Sequence, residues 1–342
     1  TWEPFDFGFR DATVAAAAAL RAQQEATLKR TQFEVSTAAA DAYLTLIAAQ
    51  ATVRAAQAGV DRATVVSRTI DALVNSELRP GADGSRAQAE LAAARTQLIQ
   101  ARQAVEVARA NLSQFVAMDP AQIAVAAPKL LELPPDQITE APDTSRNPIA
   151  LEQTAVIAQL QAQMKTLERS YFPRFFLQGA AYARGSGAEV AGPTMGGLNG
   201  LAPTTQNYAL GLTVTFSPTD LAALRAREAA QSANIHAADA RERQIATDLR
   251  ARWNAAVAAL TGSRGVAANT PTQISAARTA ANQATARYQS GLGNIDEVAE
   301  AQRLLTQAEI DDALARLGVW RALLGVATAA GDIQPFIAEA SQ

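Results

Sequence analysis

The chain has 342 residues, 49% of them hydrophobic but only 5% aromatic, and alanine supplies much of the apolar share. Such a composition lacks the bulky filler of a compact core and favours long, closely packed helices. The 30 basic and 33 acidic residues leave a net charge of −3, no electrostatic footprint for nucleic acid, and the absence of cysteine excludes disulfides and thiolate metal sites.

The chain opens on Thr1 in what reads as mid-strand, so a preceding segment is expected. A long helix then runs from about Asp11 to about Glu77. Its inner stripe is Ala39, Ala42, Leu46, Ala49, Val53, Ala56, Val60, Ala63, Ser67, Ile70 and Val74, stepping by threes and fours as a heptad seam does. The Pro- and Gly-rich stretch from Glu77 to Gly84 is a turn, and Ser85 with Gln88 reads as a capping box opening the next helix. That helix repeats the pattern through Leu91, Ala94, Leu98, Ala101, Val105, Ala108, Leu112 and Phe115. A proline-rich linker follows, and Asn147-Pro148 reads as an N-cap with proline at the first position of a short helix ending near Ser170.

The period then changes. From Asn207 to Phe216, Tyr208, Leu210, Leu212, Val214 and Phe216 alternate with small or polar residues, at roughly the ten-residue length of a membrane strand. Pro173 to Arg184 is its partner, and the Gly-, Pro- and Thr-rich stretch from Gly185 to Gln206 is a polar loop between them. No apolar run is long enough to cross a membrane as a helix, so any crossing must use strands. After Ser217-Pro218 the helical pattern resumes to about Tyr288, with Gly262, Gly265 and Pro271 expected to bend or break it. A turn from Gln289 to Gly293 leads into the last seam, Val298, Ala301, Leu305, Ala308, Asp312, Ala315, Val319, Ala322, Val326 and Ala329, apolar at all but Asp312. The two halves repeat, with Asp83, Leu91 and Ala101 matching Asp296, Leu304 and Leu314 at one offset.

Several motifs resemble those of the TolC-type outer-membrane efflux protein family. Trp2-Glu3-Pro4-Phe5-Asp6-Phe7-Gly8 resembles its strand-to-helix junction, and Tyr171-Phe172-Pro173 its entry into the second-half strands. Arg287-Tyr288-Gln289-Ser290-Gly291-Leu292, followed by Asp296-Glu297-Val298, resembles its periplasmic tip turn. The sequence departs from the family's pattern at Phe216 to Asp220 and at Ala299. The resemblance implies a mainly α fold in which long antiparallel hairpins form an α-helical tunnel as a trimer, with a few strands contributing to a shared transmembrane β-barrel. It assigns 1–10 and 171–217 to barrel strands and an extracellular loop. The first-repeat hairpin takes 11–118, the linker 119–147, the second-repeat tunnel helices 148–170 and 218–330, and a tail 331–342. It implies export of small molecules or proteins across the outer membrane of a Gram-negative bacterium. The implied partners are outer-membrane lipid, two further copies of the chain, a periplasmic adaptor and an inner-membrane transporter. No enzyme activity, cofactor, metal or nucleic acid is implied.

The gate candidates are Asp296, Glu300, Asp83, Tyr288 and Arg287, beside the tip turns Pro80-Gly81 and Gly291-Leu292-Gly293. Asp296 reads either as one member of a carboxylate ring or as a first-turn residue beside an Asn294–Glu297 cap. Glu300 and Asp83 either join that ring or lie on a solvated face. Tyr288 and Arg287 either hold the tip shut or pack at a helix end. The lone histidine, His236, has no second histidine for a metal or a triad and reads as solvated. A soluble coiled-coil scaffold is the rival reading, and the alternating strand from Asn207 to Phe216 speaks against it.

Overall fold

The computed structural model describes every residue except 126, 127, 136–140, 186–191, 193–197, 199, 200, 204 and 342. Most of the expected extracellular loop lies outside the described residues. The chain forms two compact units: residues 1–27 with 151–244, and residues 28–150 with 245–342.

The first unit carries a three-stranded antiparallel sheet, β1 (Trp2–Phe5), β2 (Arg174–Arg184) and β3 (Thr205–Thr215), in that order. Residues opposite one another in such a ladder share a face. Leu177 faces Leu212, Phe175 faces Val214 and Gly179 faces Leu210, so the apolar residues of both strands form one surface. Trp2 and Phe5 of β1 join it through a register shift between them, the geometry of a bulge. Among the described residues Phe7 packs against the Phe175 end of this surface, and most of the rest is exposed, Leu210 at 86%. The opposite face carries Gln178, Thr213 and Thr215 with Phe176 and Tyr182. The unit's helical part comes from the start of α1 (Phe9–Asn75), from α3 (Pro148–Arg169) and from the start of α4 (Leu221–Gln289). Polar links join them, including Gln231 Nε2 to the Leu160 carbonyl at 2.9 Å and Tyr171 Oη to Glu228 at 2.7 Å.

The second unit packs the rest of α1 and α4 with α2 (Gly81–Val116) and α5 (Ile295–Ala330), closed by α6 (Gln334–Ser341). Helix α1 buries two faces where the seam predicted one. Leu46, Ala56 and Val60 pack toward α2, as the seam requires, while Leu44, Ile47 and Ala51 meet Leu317, Trp320 and Leu324 of α5. The linker adds Leu130 to that core, and Trp320 Nε1 donates to the Glu132 carbonyl at 2.8 Å. By length and apolar content α5 qualifies as membrane-crossing, against the sequence expectation. Its apolar side chains are instead spent on α1 and α4: Val298, Ala301 and Leu305 in one cluster, Val319, Val326 and Ala329 in another.

Three local expectations need correction. Helix α2 starts at Gly81, not at a Ser85 capping box; Pro80 is its N-cap residue without a side-chain cap, and Asp83 in the first turn favours the helix dipole. Helix α4 runs unbroken through Gly262, Gly265 and Pro271, because a proline removes one rung and flanking packing can hold the helix across it. The repeat offset is one residue longer than the acids suggested. Gly81 and Ile295 open the second helices and Asn75 and Gln289 close the first, a difference of 214 in each case. At that offset the seams coincide, Leu91 with Leu305 and Leu98 with Asp312, whereas Leu304 and Leu314 are exposed. By contrast Asn147 caps α3 as expected, its Oδ1 accepting from the Ile149 amide at 3.0 Å.

Candidate functional site

The turns after α1 and α4 come together within the second unit. The turn after α4 ends in a Schellman motif: the Leu292 amide donates to the Arg287 carbonyl at 2.9 Å and the Gly291 amide to the Tyr288 carbonyl at 3.1 Å. Gly291 sits at φ +80°, which suits glycine. Gly293 is closely packed, since a Cβ there would lie 3.3 Å from the Tyr288 nitrogen and from the Arg287 Cβ. Asn294 then caps α5, its Oδ1 accepting from the Glu297 amide at 2.8 Å.

This turn leaves Tyr288 buried, 3% exposed, with its hydroxyl donating to Asp83 Oδ2 at 2.8 Å. The Arg79 guanidinium lies over the Tyr288 ring, 4.4 Å from its centroid, and Arg79 Nη2 also donates to the Tyr288 carbonyl. Burial, helped by the hydrogen bond to Asp83, pushes the Tyr288 phenol up to about 12, so it stays a donor at neutral pH. A second link joins α2 to α5: Arg86 of α2 lies 3.4 Å from Asp296, and 3.3 Å from Glu90 of its own helix. Arg287 stays within its own hairpin, bonded to the Leu292 carbonyl at 3.2 Å and 3.8 Å from Glu297.

Of the residues singled out in the sequence, Asp83 and Tyr288 meet directly and Asp296 lies beside them in an exposed position. Glu300 stands apart on the exposed face of α5, paired with Arg303 one turn on. Sequence reasoning missed Arg79 and Arg86. Their signal was charge complementarity: both lie within a turn of Asp83, and only the fold brings the phenol and Asp296 opposite them. Position 299, where the family pattern has an acid, is buried here and holds alanine.

A family model described as "Outer membrane efflux protein" matches residues 144–332, more than half of the chain. The chain belongs to the outer membrane efflux protein family. Membership in this family makes it an outer-membrane efflux protein and sets the scaffold reading aside. The fold is that of solved outer-membrane channels. The outer-membrane channel OprN is 23% identical with a TM-score of 0.79, covering 96% of this chain and 73% of its own. The outer membrane protein VceC from Vibrio cholerae is 17% identical, with a TM-score of 0.77 and coverage of 96% and 77%. The CmeC outer membrane channel of Campylobacter jejuni is 14% identical, with a TM-score of 0.79 and coverage of 99% and 72%. No curated protein matches the chain in sequence.

Proposed function

We propose that three copies of the chain form one efflux conduit. Each copy gives its sheet to a shared outer-membrane barrel and its hairpins to a periplasmic tunnel. Tyr288, Asp83 and Arg79 hold the tunnel's periplasmic end shut. A three-stranded sheet cannot close on itself, and an open edge in lipid leaves backbone groups without partners, which supports completion by other copies. The exposed apolar surface of β2 and β3 supports the lipid contact. The hydrogen bond from Tyr288 to Asp83 carries the gate reading, because it ties the start of α2 to the end of α4. Opening a conduit there requires that bond and the Arg86–Asp296 pair to part.

The chain passes cargo without transforming it, and small molecules or secreted proteins enter through a periplasmic adaptor and an inner-membrane transporter. Asp296, repeated by three-fold symmetry, forms an acidic ring that favours cations. Planar-bilayer recording of the full-length protein tests this reading. Tyr288→Phe removes a hydrogen bond to a carboxylate and should raise the resting open probability by roughly tenfold. Asp296→Ala should reduce cation preference. Resting currents of Tyr288→Phe indistinguishable from those of the unaltered protein would remove the gate role.

A further inference from the structure

The buried seam between α4 and α5 is apolar on both sides of one buried polar layer, with the exposed Arg278 of α4 bridging it at 4.0 Å from Glu309 on the tip side. Ala277, Ala281 and Tyr288 pack with Val298, Leu305 and Ala308 toward the tip, and Trp253, Leu260 and Ala267 with Val319 and Val326 beyond it. Between these clusters Thr270 is 3% exposed and its Oγ1 lies 2.6 Å from Asp312 Oδ1. Asp312 is also held by its own helix, accepting from Arg316 Nε at 2.9 Å. Gln273 of α4 reaches Asp311 at 3.4 Å in the same layer.

Pro271 follows Thr270 directly, inside α4. Having no N–H, it leaves the carbonyl of Ala267 without its helical rung. Ala267 is buried, so that oxygen needs a donor. The Thr270 hydroxyl is 3.3 Å from it. One hydroxyl proton therefore has two acceptors, the Asp312 carboxylate across the seam and the Ala267 carbonyl in its own helix. If α4 and α5 part, Asp312 keeps Arg316 and the hydroxyl turns to Ala267, so parting strands no buried polar group and gives the Ala267 carbonyl the donor that Asp312 otherwise takes.

We propose that the Thr270–Pro271–Asp312 layer is a hinge, at which the tip-side segments of α4 and α5 swing while the Thr270 hydroxyl exchanges Asp312 for the Ala267 carbonyl. What the swing accomplishes rests on the gate reading; the hinge itself does not. The pair of hydrogen bonds from Arg62 of α1 to Glu309, at 3.1 and 2.9 Å, lies one turn from Asp312 and holds the pivot to α1. Displacement is then smallest at that pair and largest at Tyr288 and Asp296. Nothing stands within 4 Å of where a Cβ would lie on Gly262 or Gly265, so these glycines leave α4 more pliant without a packing need in this chain.

Hydrogen exchange of the detergent-solubilised full-length protein, read by mass spectrometry, tests the hinge without any channel assay. Amides 272–275 should exchange about tenfold faster than amides 277–284 of the same helix. Pro271→Ala restores the rung and should abolish the difference, as should the double change Thr270→Ala with Asp312→Leu. Uniform exchange along α4, or a profile unmoved by Pro271→Ala, would overturn the hinge. In bilayers, Pro271→Ala added to Tyr288→Phe should lower the open probability again. Absence of any current from Tyr288→Phe would count against the gate alone, since the exchange profile still decides the hinge.

Discussion

Hairpin α1–α2 and hairpin α4–α5 match 214 residues apart at the end of the first helix and at both ends of the second, yet they fill one equivalent layer in opposite ways. In the first hairpin that layer is Ala56 against Leu98, 1% and 7% exposed, packed with Val60 and Ala101. In the second it is Thr270 against Asp312, and Gln57 of the first hairpin corresponds to Pro271. An apolar layer is indifferent to small slips and gains from staying closed. A hydroxyl–carboxylate layer beside a proline has a direction, a limited set of partners and an alternative arrangement. One scaffold thus supplies a stiff hairpin and a jointed one by exchanging three side chains.

Making the first hairpin resemble the second at this layer should have the largest effect. Leu98→Asp buries a carboxylate opposite Ala56, with no hydroxyl across the seam to donate to it and with Arg102, the counterpart of Arg316, already held by Gln57 at 3.1 Å. It should destabilise the protein by about 4 kcal/mol. Thermal unfolding followed by circular dichroism checks this. A loss under about 1 kcal/mol would mean that the two layers are not equivalent environments.

Much of this architecture was legible because helices of such length keep their period. The seam through Leu98, Ala101, Val105, Ala108 and Leu112 is buried as its spacing predicts, and the alternation from Tyr208 to Val214 marks a true strand. The second buried face of α1 was not legible. Leu44, Ile47 and Ala51 read as surface residues until α5 lies against them, and alanine-rich helices carry little contrast between faces. Asp83 and Asp296 misled the alignment of the repeats. One is the third residue of its helix and the other the second, so matching acids to acids put Leu91 against the exposed Leu304. At the tip, Tyr288 and Asp83 could be named from the turn signals and the resemblance, but their meeting depends on packing between residues some two hundred positions apart. Arg79 and Arg86 stood in plain view, but their partners at the tip, Tyr288 and Asp296, lie some two hundred positions away, and the local pair of Arg86 with Glu90 gave no sign of them.

The tips also differ in their response to pH. At Tyr288 the first hairpin has Val74, which does not titrate. The phenol is pushed up to about 12 in the folded protein, against about 10 when unfolded. Between those values the folded state keeps a proton that the unfolded chain has lost. Its stabilisation is complete below pH 10 and declines as pH rises toward 12, by about 3 kcal/mol in all. Tyr288→Phe should remove this part of the alkaline slope, and the difference in tyrosinate absorbance between the two proteins should show one phenol titrating late. A difference spectrum that titrates near 10 would mean that Tyr288 is solvated rather than sealed in the tip.

The smallest effects distinguish the two turns. Both hairpins end their first helix in a Schellman motif. The Leu78 amide donates to the Leu73 carbonyl and the Glu77 amide to the Val74 carbonyl, both at 2.9 Å, as Leu292 and Gly291 do in the second turn. The left-handed residue is Glu77 at φ +58° in one and Gly291 at φ +80° in the other. A side chain in that region costs about 1–2 kcal/mol, and glycine's extra freedom when unfolded offsets part of any gain from replacing it. Gly291→Ala should therefore destabilise by about 1 kcal/mol, while Glu77→Gly should stabilise by about 0.5 kcal/mol. Gly291→Ala should in addition loosen the hold on Tyr288, because the Gly291 amide donates to the Tyr288 carbonyl. Paired thermal unfolding of the two variants checks the signs, and the resting bilayer current checks the coupling. Equal and opposite shifts with no change in current would mean that the turns differ only in backbone strain. A current that rises with Gly291→Ala and not with Glu77→Gly would place control of the tip in the second turn.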